Sequence, residues 1–261
     1  MSYISRIITV IILNMIFLFP QSFQGTELLI RAYEDSSSEL YNEFFNRWEN
    51  DSKPLSNNEY NQLSDTLKEI YNLFYEFYYP QKMIYPYDFE TDYYVLQNEI
   101  QVFIVSNSIE DTFFYKIGFN KKELAENNVK YIFKIKPKIK FHDKKILYLT
   151  TEYEKYINDF LFYNTEDIVK LRKGEERCTK IAAVQKPRVD FLKPKIHCIP
   201  HHWISAFWYY TFPYIEYIFI RDDLKIAQVG YRIDSSMHRV NLYKKINKEW
   251  LLVYKESNGI E

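Results

Sequence analysis

Apolar residues recur at the three- and four-residue spacing of an amphipathic helix in three parts of the chain. This pattern predicts helices over about 36–50, 57–79 and 151–173, each opened by a Ser or Thr that a Glu follows three residues later. In such a capping box, the hydroxyl and the carboxylate each accept a hydrogen bond from an otherwise unpaired backbone N–H. Pro80 ends the second helix because proline cannot donate within it, and Gly174 ends the third.

Apolar and polar residues alternate in other stretches, as they do in half-buried strands. The alternation predicts strands over about 93–105, 129–150, 186–199 and 214–255, and the second of these stretches contains a strand and its return. Short polar turns divide the last stretch into four strands, which predicts an antiparallel meander. Helices that precede a mainly antiparallel sheet favour an α+β fold in which the N-terminal helices pack on the sheet. We expect residues 26–261 to form this single domain.

Four motifs mark the C-terminal part of the chain. They are Trp208-Tyr209-Tyr210-Thr211-Phe212-Pro213, Ile218-Phe219-Ile220, Ala227-Gln228-Val229-Gly230-Tyr231-Arg232 and Lys248-Glu249-Trp250-Leu251-Leu252. With the order of the elements, these motifs resemble the nuclear-transport-factor-two-like superfamily, and in particular its secreted proteins from Bacteroidetes. The resemblance implies a cone-like fold in which a curved sheet surrounds a pocket. Relatives use this pocket for isomerase or dehydratase chemistry or for binding alone, so the fold does not by itself imply a function.

The first 25 residues have the pattern of a signal peptide. An apolar stretch over 7–19 follows a single arginine, and it is too short to cross a bilayer of about 30 Å as a helix. We expect residues 1–25 to direct export to the periplasm, the cell surface or the medium; the alternatives are a buried N-terminal helix and an uncleaved anchor. Because Cys178 is the first cysteine, the exported chain is not a lipoprotein. No later segment is apolar enough to span a membrane.

Composition narrows the function classes. Aromatic residues make up 19% of the chain, whereas glycine occurs 5 times at dispersed positions. Dispersed glycines exclude the phosphate-binding loops of nucleotide cofactors and the G-x-S-x-G elbow of hydrolases. A formal net charge of −1 argues against a nucleic-acid partner, since such partners are held by clustered basic residues. We therefore expect no cofactor and no nucleic acid.

A dense aromatic run at 203–214 and the polar residues around it form the strongest candidate site. Aromatic rings stack on sugars and small apolar ligands, and tyrosine adds a hydroxyl. In an exported protein, this pattern predicts binding of a small molecule, a glycan or a protein. The candidate ligand-binding residues are Trp203, Trp208, Tyr210, His201, His202, Asp190 and Arg232. The alternative is that the same rings fill the core of the curved sheet.

The leading hypothesis is a non-catalytic ligand-binding or interaction module, and the alternative is a pocket enzyme. In the second case, His201, His202, His238 and Asp190 supply acid–base chemistry for an isomerase, a dehydratase or a hydrolase. Histidines and a cysteine also crowd residues 197–202, but their irregular spacing predicts no metal site. Finally, two cysteines are candidates for a disulfide in an oxidising compartment, the alternative being two buried thiols; they are Cys178 and Cys198.

Overall fold

The computed structural model describes residues 25–78, 91–108, 110–111, 114, 129–140, 144–162, 177–200, 207–233 and 237–259. These residues form an α+β protein, which confirms the predicted class. The helices are α1 (Gly25–Glu34), α2 (Ser38–Asp51), α3 (Asn57–Asn61), α4 (Asp65–Phe77), α5 (Thr151–Leu161) and α6 (Arg177–Leu192). The strands are β1 (Tyr93–Gln97), β2 (Glu99–Val105), β3 (Val129–Lys134), β4 (Lys145–Leu149), β5 (Ile199–Pro200), β6 (Phe207–Trp208), β7 (Tyr214–Arg221), β8 (Ile226–Arg232), β9 (Met237–Ile246) and β10 (Glu249–Gly259).

Serine caps set the start of the N-terminal helices, but Ser37, which accepts from the Leu40 N–H, caps α2 in place of the predicted Ser36. The capping box that begins at Ser56 is confirmed, because its hydroxyl accepts from the Glu59 N–H and the Glu59 carboxylate accepts from the Ser56 N–H. The predicted helix over 57–79 is nevertheless two helices, since the hydroxyl of Ser64 caps α4 by accepting from a backbone N–H three residues later. Each cap satisfies a donor that the first helical turn leaves unpaired.

The predicted strand over 186–199 is wrong, because the first half of this stretch belongs to α6. The buried positions of α6 include Gln185, Val189 and Leu192, which recur at helical spacing. One of them is polar, and Pro187 lies within the helix, so the apolar pattern of a helix is broken at both positions. The expected helix over 151–173 begins with α5, but Thr150 rather than the predicted Thr151 caps it by accepting from the Tyr153 N–H, and its second half lies outside the described residues.

The described strands form three sheets, two of which are pairs: β1 with β4 and β5 with β6. The largest has the order β10-β9-β8-β7-β2-β3, in which β7 to β10 pair antiparallel in chain order. Strand β2 joins this sheet by pairing parallel to β7 and antiparallel to β3. The predicted strand over 93–105 is therefore divided at Asn98, because β1 pairs instead with β4 in parallel. Strand β4 does not return beside β3, contrary to the expectation from the sequence.

Aromatic side chains fill the space between the helices and the sheets. Trp48 of α2 is fully buried, stacks on Tyr153 of α5 at 4.8 Å between ring centroids, and donates its indole N–H to the Tyr148 carbonyl at 2.9 Å. A second cluster joins α4 to the large sheet around Phe74. Within the described ranges, no helix combines the length and the apolar character that a membrane span requires.

Candidate functional site

Three of the residues predicted to bind a ligand lie together in the structure. The rings of Trp208 and Tyr210 pack edge to face at 5.2 Å, and the Arg232 guanidinium lies 5.2 Å from the centroid of the Trp208 ring. Such a cation–π contact is stabilising, and it covers one face of the indole. Tyr210 also belongs to the buried core. At least part of the aromatic run therefore fills the core, as the alternative interpretation of the sequence expects.

The other predicted residues do not join this group in the described part of the chain. Asp190 lies on α6, where its carboxylate pairs with Lys186 and, at 2.7 Å, with Lys193. Hydrogen bonds from these two ammonium groups lower the pKa of Asp190. The predicted residues outside the described ranges are Trp203, His201 and His202.

The cysteines also stand apart from the aromatic group. Cys198 is a free thiol buried in the core, and burial raises its pKa. The Cys178 side chain lies outside those the structure describes, so its pairing with Cys198 in an oxidising compartment stays a prediction, although Cys198 is a free thiol in the structure. Among the described residues, no three His, Cys, Asp or Glu side chains are placed to hold a metal ion.

A carboxylate that the sequence analysis did not select holds Arg232 in place. Glu216 accepts from the Arg232 Nε at 2.9 Å through one oxygen, and its other oxygen lies 2.9 Å from the Nδ1 of His238. Burial alone raises the pKa of Glu216, but the hydrogen bonds from Arg232 and His238 outweigh burial and lower it. The carboxylate is therefore ionised at neutral pH and bridges two side chains of neighbouring strands.

A β-bulge places Glu216 in this position. The pairing of β7 with β8 shifts register between Ile215 and Tyr217, so Glu216 is the extra residue. A bulge re-aims the side chains on either side of it. Further along, the Tyr217 ring passes so close to Gly230 that an added Cβ there would lie 2.2 Å from the ring. The bulge leaves no clear signal in the alternating sequence, which explains why sequence analysis missed Glu216.

Beside the aromatic group lies a cleft of about 100 Å³. One wall contains Tyr210 and Tyr214, whose rings stack at 4.2 Å with 21° between their planes. The other lining residues come from the β1–β2 junction, from the end of β4 and from the start of α5; they are Gln97, Asn98, Glu99, Leu149, Thr151 and Glu154. Of all these residues, only Tyr210 was predicted.

The β1–β2 junction is held rigidly. The Gln97 amide nitrogen donates to the carbonyls of Glu99, at 3.0 Å, and Ile215, at 2.9 Å, and its oxygen accepts from the Ile215 N–H. Next to it, the Asn98 carbonyl accepts from the Ile135 N–H at 2.7 Å. Three of these four bonds join the junction to distant segments, so the junction has little freedom to move.

Two glutamates bring negative charge to the cleft. Partial loss of water raises the pKa of Glu154, and the negative charge of Glu99 raises it further. A second cleft of about 110 Å³ shares Glu99 and Tyr214 with the first and also contains Glu216. Among the described residues that line either cleft, every ionisable side chain other than tyrosine is a glutamate.

Comparisons with protein family models, with characterised proteins and with solved structures find no match to this chain.

Proposed function

We propose that this chain is an exported, non-catalytic ligand-binding module whose ligand lies in the cleft beside Tyr210 and Tyr214. The export is proposed from the signal-peptide pattern of residues 1–25. The finer architecture is part of the same proposal: a cone-like curved sheet that ends in a four-strand meander, as the resemblance to the nuclear-transport-factor-two-like superfamily implies. The consecutive antiparallel pairing of β7 to β10 supports the meander.

The stacked tyrosine pair is the observation that carries the proposal. Tyr214 is only partly buried, and it lines both clefts, so a ligand in either cleft meets its ring. Tyrosine offers a large contact area at a low cost in conformational entropy. The indole face of Trp208, which the sequence suggested for stacking, is covered by Arg232, so the tyrosines are the better placed aromatic surface.

A thermal-shift screen tests this function. We expect at least one member of a library of glycans, peptides, amines and apolar small molecules to raise the melting temperature of the full chain. A ligand at a hundred times its Kd stabilises the folded state by about 2.7 kcal/mol. Tyr214→Ala should abolish the shift, whereas Tyr131→Ala, which removes a half-exposed tyrosine from β3, should retain it. If no member of the library raises the melting temperature, the proposal is refuted.

A second candidate function rests on the contact between His238 and Glu216. A carboxylate that holds one imidazole nitrogen orients the ring for acid–base chemistry at the other. Glu216 lines the second cleft, so the pair lies beside a space that a substrate could enter. Assays of ester hydrolysis, dehydration and keto–enol isomerisation test this alternative: an activity that His238→Asn abolishes would support it, and inactivity of the intact chain in all three would exclude it.

A further inference from the structure

The first cleft offers a ligand hydrogen-bond acceptors and negative charge. Its described lining includes the carboxylates of Glu99 and Glu154, the amide of Asn98 and the hydroxyl of Thr151, and it includes no lysine, arginine or histidine. A carboxylate accepts hydrogen bonds and donates none when ionised. An anionic ligand is therefore disfavoured, and a ligand with N–H donors and positive charge is favoured.

The Asn98 side chain supplies an independent sign of a missing donor. This residue is only 4% exposed, and its Oδ1 has no hydrogen-bond partner within the part of the chain that the structure describes. Buried polar atoms are nearly always paired, because an unpaired acceptor loses its bonds to water without replacement. Asn98 lines the cleft, so a donor that enters there is the candidate partner for this oxygen.

The two glutamates of the cleft repel each other, and a bound cation would offset this repulsion. Glu99 and Glu154 line the same cleft, and the negative charge of Glu99 raises the pKa of Glu154, so the two carboxylates repel each other there. A positive group between them replaces this repulsion by two attractions. Neutral ligands such as glycans bring donors but no charge, so they leave the repulsion in place.

We propose that the cleft binds a primary ammonium group carried on a short aliphatic chain. This inference rests on the proposed binding function and names the chemical class of its ligand. The ammonium donates up to three hydrogen bonds, which matches the acceptors of Asn98, Glu99 and Glu154. The partly exposed ring of Tyr214 adds cation–π attraction and covers the methylene groups. Free diamines and lysine side chains share this chemistry.

The dimensions of the two clefts agree with this ligand. The first, of about 100 Å³, has room for a small group rather than a drug-sized molecule. The second cleft lies across the shared wall of Glu99 and Tyr214, so an aliphatic chain that leaves the first cleft passes beside another apolar surface, which includes Ile132. Glu216 on the far side is already bonded to Arg232 and His238, so the first cleft is the better ammonium site.

Isothermal titration calorimetry at pH 7 with four probes tests the proposal. The probes are n-butylamine, 1,4-diaminobutane, Nα-acetyl-lysine amide and n-butanol, the last being the neutral counterpart of the first. We expect butylamine to bind at least about tenfold more tightly than butanol, because it forms charge-assisted hydrogen bonds. Tighter binding of the diamine than of the lysine amide would identify a free amine as the ligand, and the reverse order would identify a peptide side chain.

Matched variants separate the site from general charge effects. Glu154→Gln should weaken butylamine binding about tenfold, whereas Glu152→Gln should change it less than about twofold. Both residues lie in the first turn of α5, but Glu152 accepts from the Tyr156 hydroxyl and does not line the cleft. Saturating amine should also lower the raised pKa of Glu154, as followed by carbon-13 NMR of its carboxyl group.

Two results would overturn the ammonium proposal. One is equal affinity for butylamine and butanol, and the other is an equal effect of the Glu154→Gln and Glu152→Gln variants. If amines fail while another library member shifts the melting temperature through Tyr214, the binding function stands and only its ligand class is wrong. If no compound of any class binds, both proposals fall together.

Discussion

Glu216→Gln tests whether the contacts of Glu216 with Arg232 and His238 stabilise the fold. The exposed fractions of the Glu216, Arg232 and His238 side chains are 20%, 22% and 17%, so both hydrogen bonds lie in a largely dehydrated place. A hydrogen bond to a charged group contributes about 1.5–3 kcal/mol, and the cost of removing the charges from water offsets a large part. We expect the free energy of unfolding to fall by about 2 kcal/mol at pH 7, as measured by urea denaturation.

The pH dependence of this loss is the sharper measurement. The folded state lowers the pKa of Glu216 below its ordinary value of 4.5, so the stabilisation is fully present above the unfolded-state pKa. It disappears as the pH falls through the folded-state pKa, where the carboxyl takes up a proton. The difference in the free energy of unfolding between the wild type and Glu216→Gln should therefore shrink below pH 4.5.

Glu43→Gln is the control: it removes an exposed pair with Arg47 on α2 and should lower the free energy of unfolding by less than about 0.5 kcal/mol. Equal stabilities of wild type and Glu216→Gln at pH 7, or a difference that persists unchanged to pH 3, would refute the reasoning.

Three further predictions concern the core, the sheet edge and the thiol. Gly230→Ala should lower the free energy of unfolding by about 1–3 kcal/mol, since its Cβ would lie 2.2 Å from the buried Tyr217 ring; unchanged urea denaturation would contradict this. Leu252→Lys should reduce self-association in light scattering at high concentration, because Leu252 is 50% exposed on edge strand β10. Cys198 should resist iodoacetamide at pH 8 in the folded protein and react in urea, as peptide mass spectrometry would show, because its thiol is buried and its pKa is raised.

Local signals in the sequence placed three helix starts within two residues, although only one of the three predicted capping boxes has the predicted partners. The serine and glutamate of a capping box bond to backbone atoms three residues away, so Ser56 and Glu59 identified a helix start correctly. The turns between β7 and β10 are local signals too, because each joins two strands that pair with each other. The alternating patterns of these strands survive because their partners are their neighbours in the chain.

Sequence analysis failed where a distant partner decided the outcome. Gln185 interrupts the apolar stripe of α6 although it is 1% exposed, so the sequence does not show the periodicity of this helix. The stretch over 93–105 alternates as a single strand, yet β1 pairs with β4 and β2 with β7, which divides it at Asn98. No periodicity within one segment encodes the identity of its partner.

By itself, the sequence determined the α+β class, several helix starts, the C-terminal run of strands and the aromatic character of the candidate site. Only the tertiary structure decided which polar groups meet the aromatic rings. Asn98 and Glu99 reach the cleft from a strand junction, Glu154 from a helix more than fifty positions later, and Tyr214 from another strand. Glu216, the extra residue of a bulge in β7, contacts Arg232 on β8 and His238 on β9. These residues meet through long-range packing, and no pattern within one segment of the sequence shows which distant segment will pack against it.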